Sequence, residues 1–190
     1  MSNDAWDLDK NLATIERQWA GLVALCEDEP VFRAKAPDVS AWDVGQHVKH
    51  CAIVLTRIVG AIDFLVSNTD SGKGLGPKFD FALPMLESGD IPRGMGKAAD
   101  FLLPGDSPDR VETRGMVEGA AKMWKGLSAK RDGILKSEAT FAHFILGNFT
   151  AVQWVRFMAV HTAHHFKIAS DVLNAAGMEN PVDANLQAVN

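Results

Sequence analysis

The feature that most constrains this chain is a helical spacing of apolar residues that recurs in four long stretches. In the first stretch the apolar side chains follow one another at intervals of three or four residues, as Leu8, Leu12, Ile15, Trp19, Leu22 and Cys26. Such spacing keeps the side chains on one face of an α-helix. The pattern predicts four helices, over about residues 5–27, 41–67, 108–137 and 150–176.

Two of these helices begin with residues that are typical of a capping box. Ser40 and Asp43 have the required spacing before the second helix, and Thr150 and Gln153 have it before the fourth. In this motif each side chain accepts a hydrogen bond from the backbone of the other residue. Gly177 marks the end of the fourth helix, because glycine readily adopts the left-handed conformation that closes a helix.

The sequence shows no alternating pattern of strands, so the predicted fold class is all-α, a four-helix bundle in a single domain over residues 1–190. Residues 68–106 carry seven glycines and four prolines between short apolar pieces. We expect this segment to be a long crossover connection between the second and third helices, with one short helix in it. A connection of this length is expected to pack across the end of the bundle, where it can cover a pocket.

Charge and composition exclude several classes of partner. A net charge of −5 and a pI near 5.6 are unlike the basic surface that nucleic-acid binding requires. The chain has neither a basic leader with an apolar stretch behind it nor a run of about twenty apolar residues, so we expect a cytoplasmic protein without a membrane partner. Cys26 and Cys51 form no CxxC pattern and are expected to be reduced, buried thiols.

The histidines of the fourth helix raise the question of a metal site. His161 and His165 are four residues apart, so both lie on the interior face, one helical turn from each other. This arrangement is typical of a chelate, but two histidines in a hydrogen-bonded polar core would have the same spacing. A third ligand from the second helix could be His47, at the centre of its apolar face, or His50, at the edge. Either choice leaves an open coordination position.

Two segments resemble the DinB/YfiT-like superfamily of metalloenzymes. They are SAWDVGQHVKHC, residues 40–51, and HFILGNFTAVQWVRFMAVHTAHHFKI, residues 143–168, within a helical frame that is similar over about residues 5–176. The motif from His143 to Thr150 is similar to an uncharacterised branch of that superfamily. The resemblance implies a bundle with up-down-down-up helix order. It also implies a divalent ion bound by His50, His161 and His165, since His50 occupies the family's ligand position, eight residues after Trp42.

The resemblance also indicates a class of reaction. Members of the superfamily include thiol-dependent S-transferases, so it implies a small-molecule substrate, a low-molecular-weight thiol as co-substrate and a homodimeric assembly. Zinc, nickel and iron all suit imidazole ligands. This chain departs from the family at Lys167 and Ile168, where relatives often carry Arg and Gln, so the substrate chemistry does not transfer with the ligands.

Two alternative functions follow from the same residues. A three-histidine site would also suit a non-catalytic, metal-binding or stress-related accessory protein, or a metal-dependent hydrolase. The stretch between His161 and His165 contains no Glu that could act as the base of a zinc protease. If the protein has a general base, the candidates are His47, His143 and His164.

Overall fold

The computed structural model describes residues 4–94 and 96–189, and this part of the chain is mostly helical. The helices described are α1 (Leu8–Ala24), α2 (Glu29–Phe32), α3 (Val44–Ser67), α4 (Ala82–Ser88), α5 (Arg110–Ser128), α6 (Arg131–Lys136) and α7 (Ala151–Ala175). Short 3-10 helices span Asp4–Trp6, Asp100–Leu102 and Ala184–Gln187, and two strands, β1 (Thr140–His143) and β2 (Gly147–Thr150), form a hairpin. The four longest helices therefore correspond to the four predicted stretches.

The four long helices pack around one apolar core, and each contacts two of the others. Helix α3 packs against α5 and α7, and α1 packs against the same two helices. Polar contacts near the helix ends define their relative directions. Lys49–Glu112 and Asp63–Lys130 show that α3 and α5 run parallel. Asp9–Arg131 and Glu27–Arg114 show that α1 and α5 run antiparallel. Asn11–Arg156 and Gln18–Ala159 show that α1 and α7 run parallel.

The predicted start of the second helix was wrong by three residues. Helix α3 begins at Val44, and its capping box pairs Asp43 with Gln46: the Asp43 carboxylate accepts from the Gln46 amide at 2.7 Å, and the Gln46 side chain accepts from the Asp43 amide at 3.0 Å. The Ser40 hydroxyl instead accepts from the Trp42 amide. The box predicted at Thr150 and Gln153 is confirmed at the start of α7.

The third predicted helix is interrupted after Ser128. Helix α5 ends there, and α6 starts at Arg131 and packs against α3 and α7. Gly133 permits this close approach, because a Cβ at that position would lie 2.8 Å from Cγ1 of Val66. A hydrogen bond of 2.6 Å from the Ser137 hydroxyl to the Leu65 carbonyl holds the end of α6.

The hairpin was not predicted, since each strand has only four residues and their sequence does not alternate between apolar and polar. The hairpin packs beside the long connection. Gly147, with φ of 90°, allows the contact, because a Cβ there would lie 2.3 Å from the backbone nitrogen of Lys78. The Lys78 amide donates to the Leu146 carbonyl at 2.7 Å, which ties the connection to the hairpin turn.

By length and composition alone, one of the described helices, α3, would suffice to cross a membrane. Core helices that never enter a bilayer pass the same test, and more than half of the apolar stretch of α3 is buried inside the fold. The position of α3 between α5 and α7 accounts for its apolar composition.

Two cysteines and two arginines have structural roles. Cys26 and Cys51 are buried free thiols, as predicted, and burial raises the pKa of Cys26 to about 11. Arg114 pairs with Glu27 and Glu118, and Arg131 pairs with Asp9. These two arginines therefore connect helices on the surface.

Candidate metal centre

Three histidines from two helices converge at one end of the α3–α7 pair. His50 lies near the start of α3, and His161 and His165 lie on either side of the middle of α7. Their potential ligand nitrogens all lie within 4.8 Å of one another. The antiparallel packing of α3 against α7 brings the segments together, since His47 contacts His165 and His50 contacts His161. The three imidazoles are close enough to bind one metal ion.

The hydrogen bond of His50 determines which of its nitrogens is free. Its Nδ1 lies 2.9 Å from the carbonyl oxygen of Leu102. Because a carbonyl can only accept, the ring proton is on Nδ1, and the lone pair is left on Nε2. Metal-binding histidines usually donate their other ring N–H to a carbonyl or carboxylate in this way. Leu102 belongs to the long connection, so the connection orients a candidate ligand.

His165 is oriented by a chain of polar contacts that includes His47. The two Nδ1 atoms of His47 and His165 lie 3.0 Å apart, and Nε2 of His47 lies 2.9 Å from the Ser40 hydroxyl. If His165 donates from Nδ1, its Nε2 is free to bind an ion. His47 then accepts at Nδ1 and donates a hydrogen bond from Nε2 to the Ser40 hydroxyl. His47, the residue favoured by the helical face, thus contacts a candidate ligand rather than joining the group of three.

His161 is the least satisfied member of the group. Its Nδ1 is buried and has no hydrogen-bond partner among the described residues. A buried polar atom without a partner costs about 1–3 kcal/mol. Coordination of a metal ion by Nδ1 would satisfy this atom, so the donor set fits a divalent ion that prefers imidazole.

Burial keeps the group neutral, which is the protonation state that binds metal. Desolvation lowers the pKa of His50, and it lowers those of His161 and His165 well below the ordinary value of 6.5. Neighbouring histidines lower the pKa values of His161 and His165 further, because two adjacent imidazolium charges repel. All three imidazoles therefore have lone pairs available at neutral pH.

The three histidines open onto a cavity of about 400 Å³, which each of the chain's six histidines lines. The walls come from α3, α7, the hairpin turn and, in the connection, residues 91–94, 96–98 and 102. The prediction that the connection covers a pocket is confirmed. The connection contains two short helices, α4 and a 3-10 helix, where one short helix was expected.

The three histidines named as candidate bases all lie at this cavity, in different settings. His47 is the most buried, and desolvation lowers its pKa to about 3. Burial lowers the pKa of His143 to about 4, and its Nδ1 accepts from the amides of Ile145 and Leu146. His164 has a pKa lowered by burial, with an opposing effect from the Ile91 backbone.

Several residues that line the site were not predicted as site residues from the sequence. Trp42 packs its ring 5.1 Å from that of His50 and 5.3 Å from that of His47. Phe81, Arg93 and Lys97 reach the cavity from the connection. Only the place of Trp42, eight residues before His50, could have indicated a role. Comparisons with protein-family models, with curated proteins and with solved structures find no match for this chain.

Proposed function

We propose that this protein is a DinB/YfiT-like metal-binding protein that holds one divalent ion through His50, His161 and His165. The observation that carries the proposal is the convergence of three neutral imidazoles, with ligand nitrogens within 4.8 Å of one another, at the base of a cavity. Three protein ligands leave a coordination position open, as in catalytic rather than structural sites. The contact of His47 with His165 supports its role in orienting that ligand.

The helix directions support the family assignment. Helices α3 and α5 run parallel, α1 runs antiparallel to α5, and α1 runs parallel to α7. These relations correspond to the up-down-down-up order that the resemblance implies. The long connection over the end of the bundle, which supplies the Leu102 carbonyl to His50, is consistent with a crossover of that topology.

The reaction proposed for this site is a thiol-dependent S-transfer or a related metal-assisted reaction. A bound divalent ion would lower the pKa of a thiol or water ligand and so supply a nucleophile at neutral pH. The protein would contribute a mostly apolar cavity, and His164 as a neutral group that can accept a proton from a substrate. A hydrolase of the zinc-protease type is less well supported, because no Glu lines the cavity among the described residues.

Metal analysis of purified protein tests the site. We expect about one divalent ion per chain, and anomalous scattering should place it among the three histidines. His165→Ala should abolish stoichiometric binding. His164→Ala is the matched control, because His164 lines the same cavity next to His165 but lies outside the group of three. Equal metal loss in both variants, or a wild-type site that stays empty after metal supplementation, would contradict the proposal.

A screen of low-molecular-weight thiols with electrophiles tests the reaction. Metal-loaded protein should accelerate at least one transfer, and the His165→Ala protein should not. A protein that binds metal with no activity towards any pair would favour the non-catalytic accessory role.

A further inference from the structure

The charged side chains that line the cavity are both cationic. Arg93 and Lys97 reach it from the connection between α4 and α5 and are exposed at its opening. Arg93 is paired with Asp171 at 2.5 Å, whereas Lys97 forms no ion pair within the described part of the chain. No Asp or Glu from the described residues lines the cavity. Lys97 is therefore a positive charge that the protein itself leaves uncompensated.

The histidines at the base of the cavity add no negative charge to balance the positive charge of Lys97. Imidazole ligands carry no negative charge, so an ion held by His50, His161 and His165 would retain its full positive charge. When a ligand enters and displaces water from the cavity, positive charge that has no opposite charge beside it becomes costly. A ligand that enters the cavity is favoured if it brings a negative charge.

The remainder of the cavity selects for an apolar body. Its walls include Phe81, Phe144, Ile145, Phe157 and Ile168. A volume of about 400 Å³ is within the range of small-molecule sites, which are mostly apolar with a few polar groups that orient the ligand.

His143 offers a further polar contact. Because its Nδ1 accepts from the amides of Ile145 and Leu146, at 3.2 and 3.1 Å, the ring proton is on Nε2. That N–H has no hydrogen-bond partner among the described residues, and His143 lines the cavity. The aromatic rings of Phe149, Trp154 and Phe157 pack around the imidazole and hold its orientation. His143 is thus a neutral donor in a fixed position.

We propose that the cavity binds a small carboxylate with an apolar body, for which Lys97 and His143 provide the polar contacts. The proposal rests in part on the metal site proposed above, which adds to the positive charge. Phe81, Phe144 and Ile145 contact the apolar part of the ligand.

Calorimetric titration of zinc-loaded protein with three probes tests the ligand class. Octanoate has both a carboxylate charge and an apolar body, octanamide lacks the charge, and acetate lacks the apolar body. We expect octanoate to bind at least about tenfold more tightly than octanamide, since a hydrogen bond to a charged group contributes more than a neutral one. Acetate should bind at least about tenfold more weakly than octanoate, because it buries little apolar surface.

Substitution of Lys97 tests the residue. Lys97→Gln should weaken octanoate binding about tenfold and leave octanamide binding unchanged, whereas Lys97→Arg should retain the preference. Lys122→Gln is the matched control, because Lys122 is exposed on α5 and does not line the cavity. Equal loss in the Lys97→Gln and Lys122→Gln proteins would overturn the assignment of Lys97.

Zinc content, measured on the same samples, separates this inference from the proposed function. If the protein holds zinc but binds octanoate no more tightly than octanamide, the ligand class is wrong and the metal site stands. If the protein holds no zinc, the proposed function fails. The same probes would then be titrated into the zinc-free protein. A preference for octanoate that depends on Lys97 would support the ligand class, and the absence of a preference would overturn it.

Discussion

Two buried polar clusters lie on the same helix, α7, and they differ in how completely the protein satisfies them. Every nitrogen of the Arg156 guanidinium donates: Nε to the Leu86 carbonyl at 2.8 Å, Nη1 to the Asn11 side chain at 3.2 Å, and Nη2 to the carbonyls of Glu87 and Val189. Less than two turns further on, His161 has a buried Nδ1 with no partner among the described residues.

The difference distinguishes a structural cluster from the proposed metal site. The bonds of Arg156 join α7 to α1, to the end of α4 and to the C-terminal segment, so they stabilise the fold without any ligand. The histidine cluster leaves ring nitrogens unused and faces a cavity. Unsatisfied buried groups in a native structure call for an explanation, and a bound ion supplies one here. The following predictions test this contrast, from the largest expected effect to the smallest.

The largest effect should come from metal. At a concentration a thousandfold above Kd, an ion that binds only the folded state stabilises it by about 4 kcal/mol. We expect the melting temperature to rise with added divalent ion at neutral pH and to fall again with a chelator. Because the pKa values of His161 and His165 are lowered well below 6.5, the effect of metal should persist at pH 6 and disappear only at lower pH, where protonation competes. The apo protein should stay folded. A melting temperature that responds to neither metal nor chelator at pH 7 would indicate a polar core and no metal site.

Replacement of the satisfied cluster should affect stability alone. Arg156→Met leaves several buried carbonyls without donors, and we expect a loss of about 3 kcal/mol in the free energy of unfolding, measured with denaturant. Metal stoichiometry of the folded protein should be unchanged. His161→Leu should do the reverse, with little change in apo stability because an unsatisfied polar atom is removed, and with loss of metal. Similar destabilisation of the two apo proteins would erase the distinction between the clusters.

The two histidines of α3 should differ in their effect on metal affinity. His50→Ala removes a ligand and should abolish tight binding. His47→Ala removes only the partner of His165 and should weaken binding by about ten- to a hundredfold. Equilibrium competition with a chelator measures both affinities. The opposite order would identify His47 as the ligand.

A smaller effect is expected from each of two histidines on the acid stability of the metal-free protein. Burial lowers the pKa of His143 to about 4 and that of His47 to about 3, whereas both are near 6.5 in the unfolded chain. The unfolded state therefore binds more protons below pH 6.5, so stability falls as the pH decreases from 6.5 towards 4. Each such histidine contributes a slope of up to about 1.4 kcal/mol per pH unit. Denaturant unfolding at pH 7, 6 and 5 measures the slope, and His143→Phe should reduce it. A flat profile would show that these groups titrate equally in both states.

The long helices were predictable because their signal is local and repeated. Apolar residues at helical spacing specify the buried face of α1, α3, α5 and α7. The break after Ser128 and the hairpin were not predictable, because both depend on contacts with distant segments. Gly133 packs against Val66, and Gly147 packs against Lys78. No pattern within a short window records such a contact.

The site divides in the same way. The i, i+4 spacing by itself placed His161 and His165 on one face of one helix, because helical geometry alone brings such side chains together. The choice between His47 and His50 remained open on the residues of α3 alone, since both lie near its apolar face. The tertiary structure decided how each is used: the Leu102 carbonyl orients His50, while Ser40 and His165 both contact His47. Leu102 lies 52 residues from His50 in the sequence, and His165 lies 118 residues from His47, so only the packed chain brings each pair within hydrogen-bond distance.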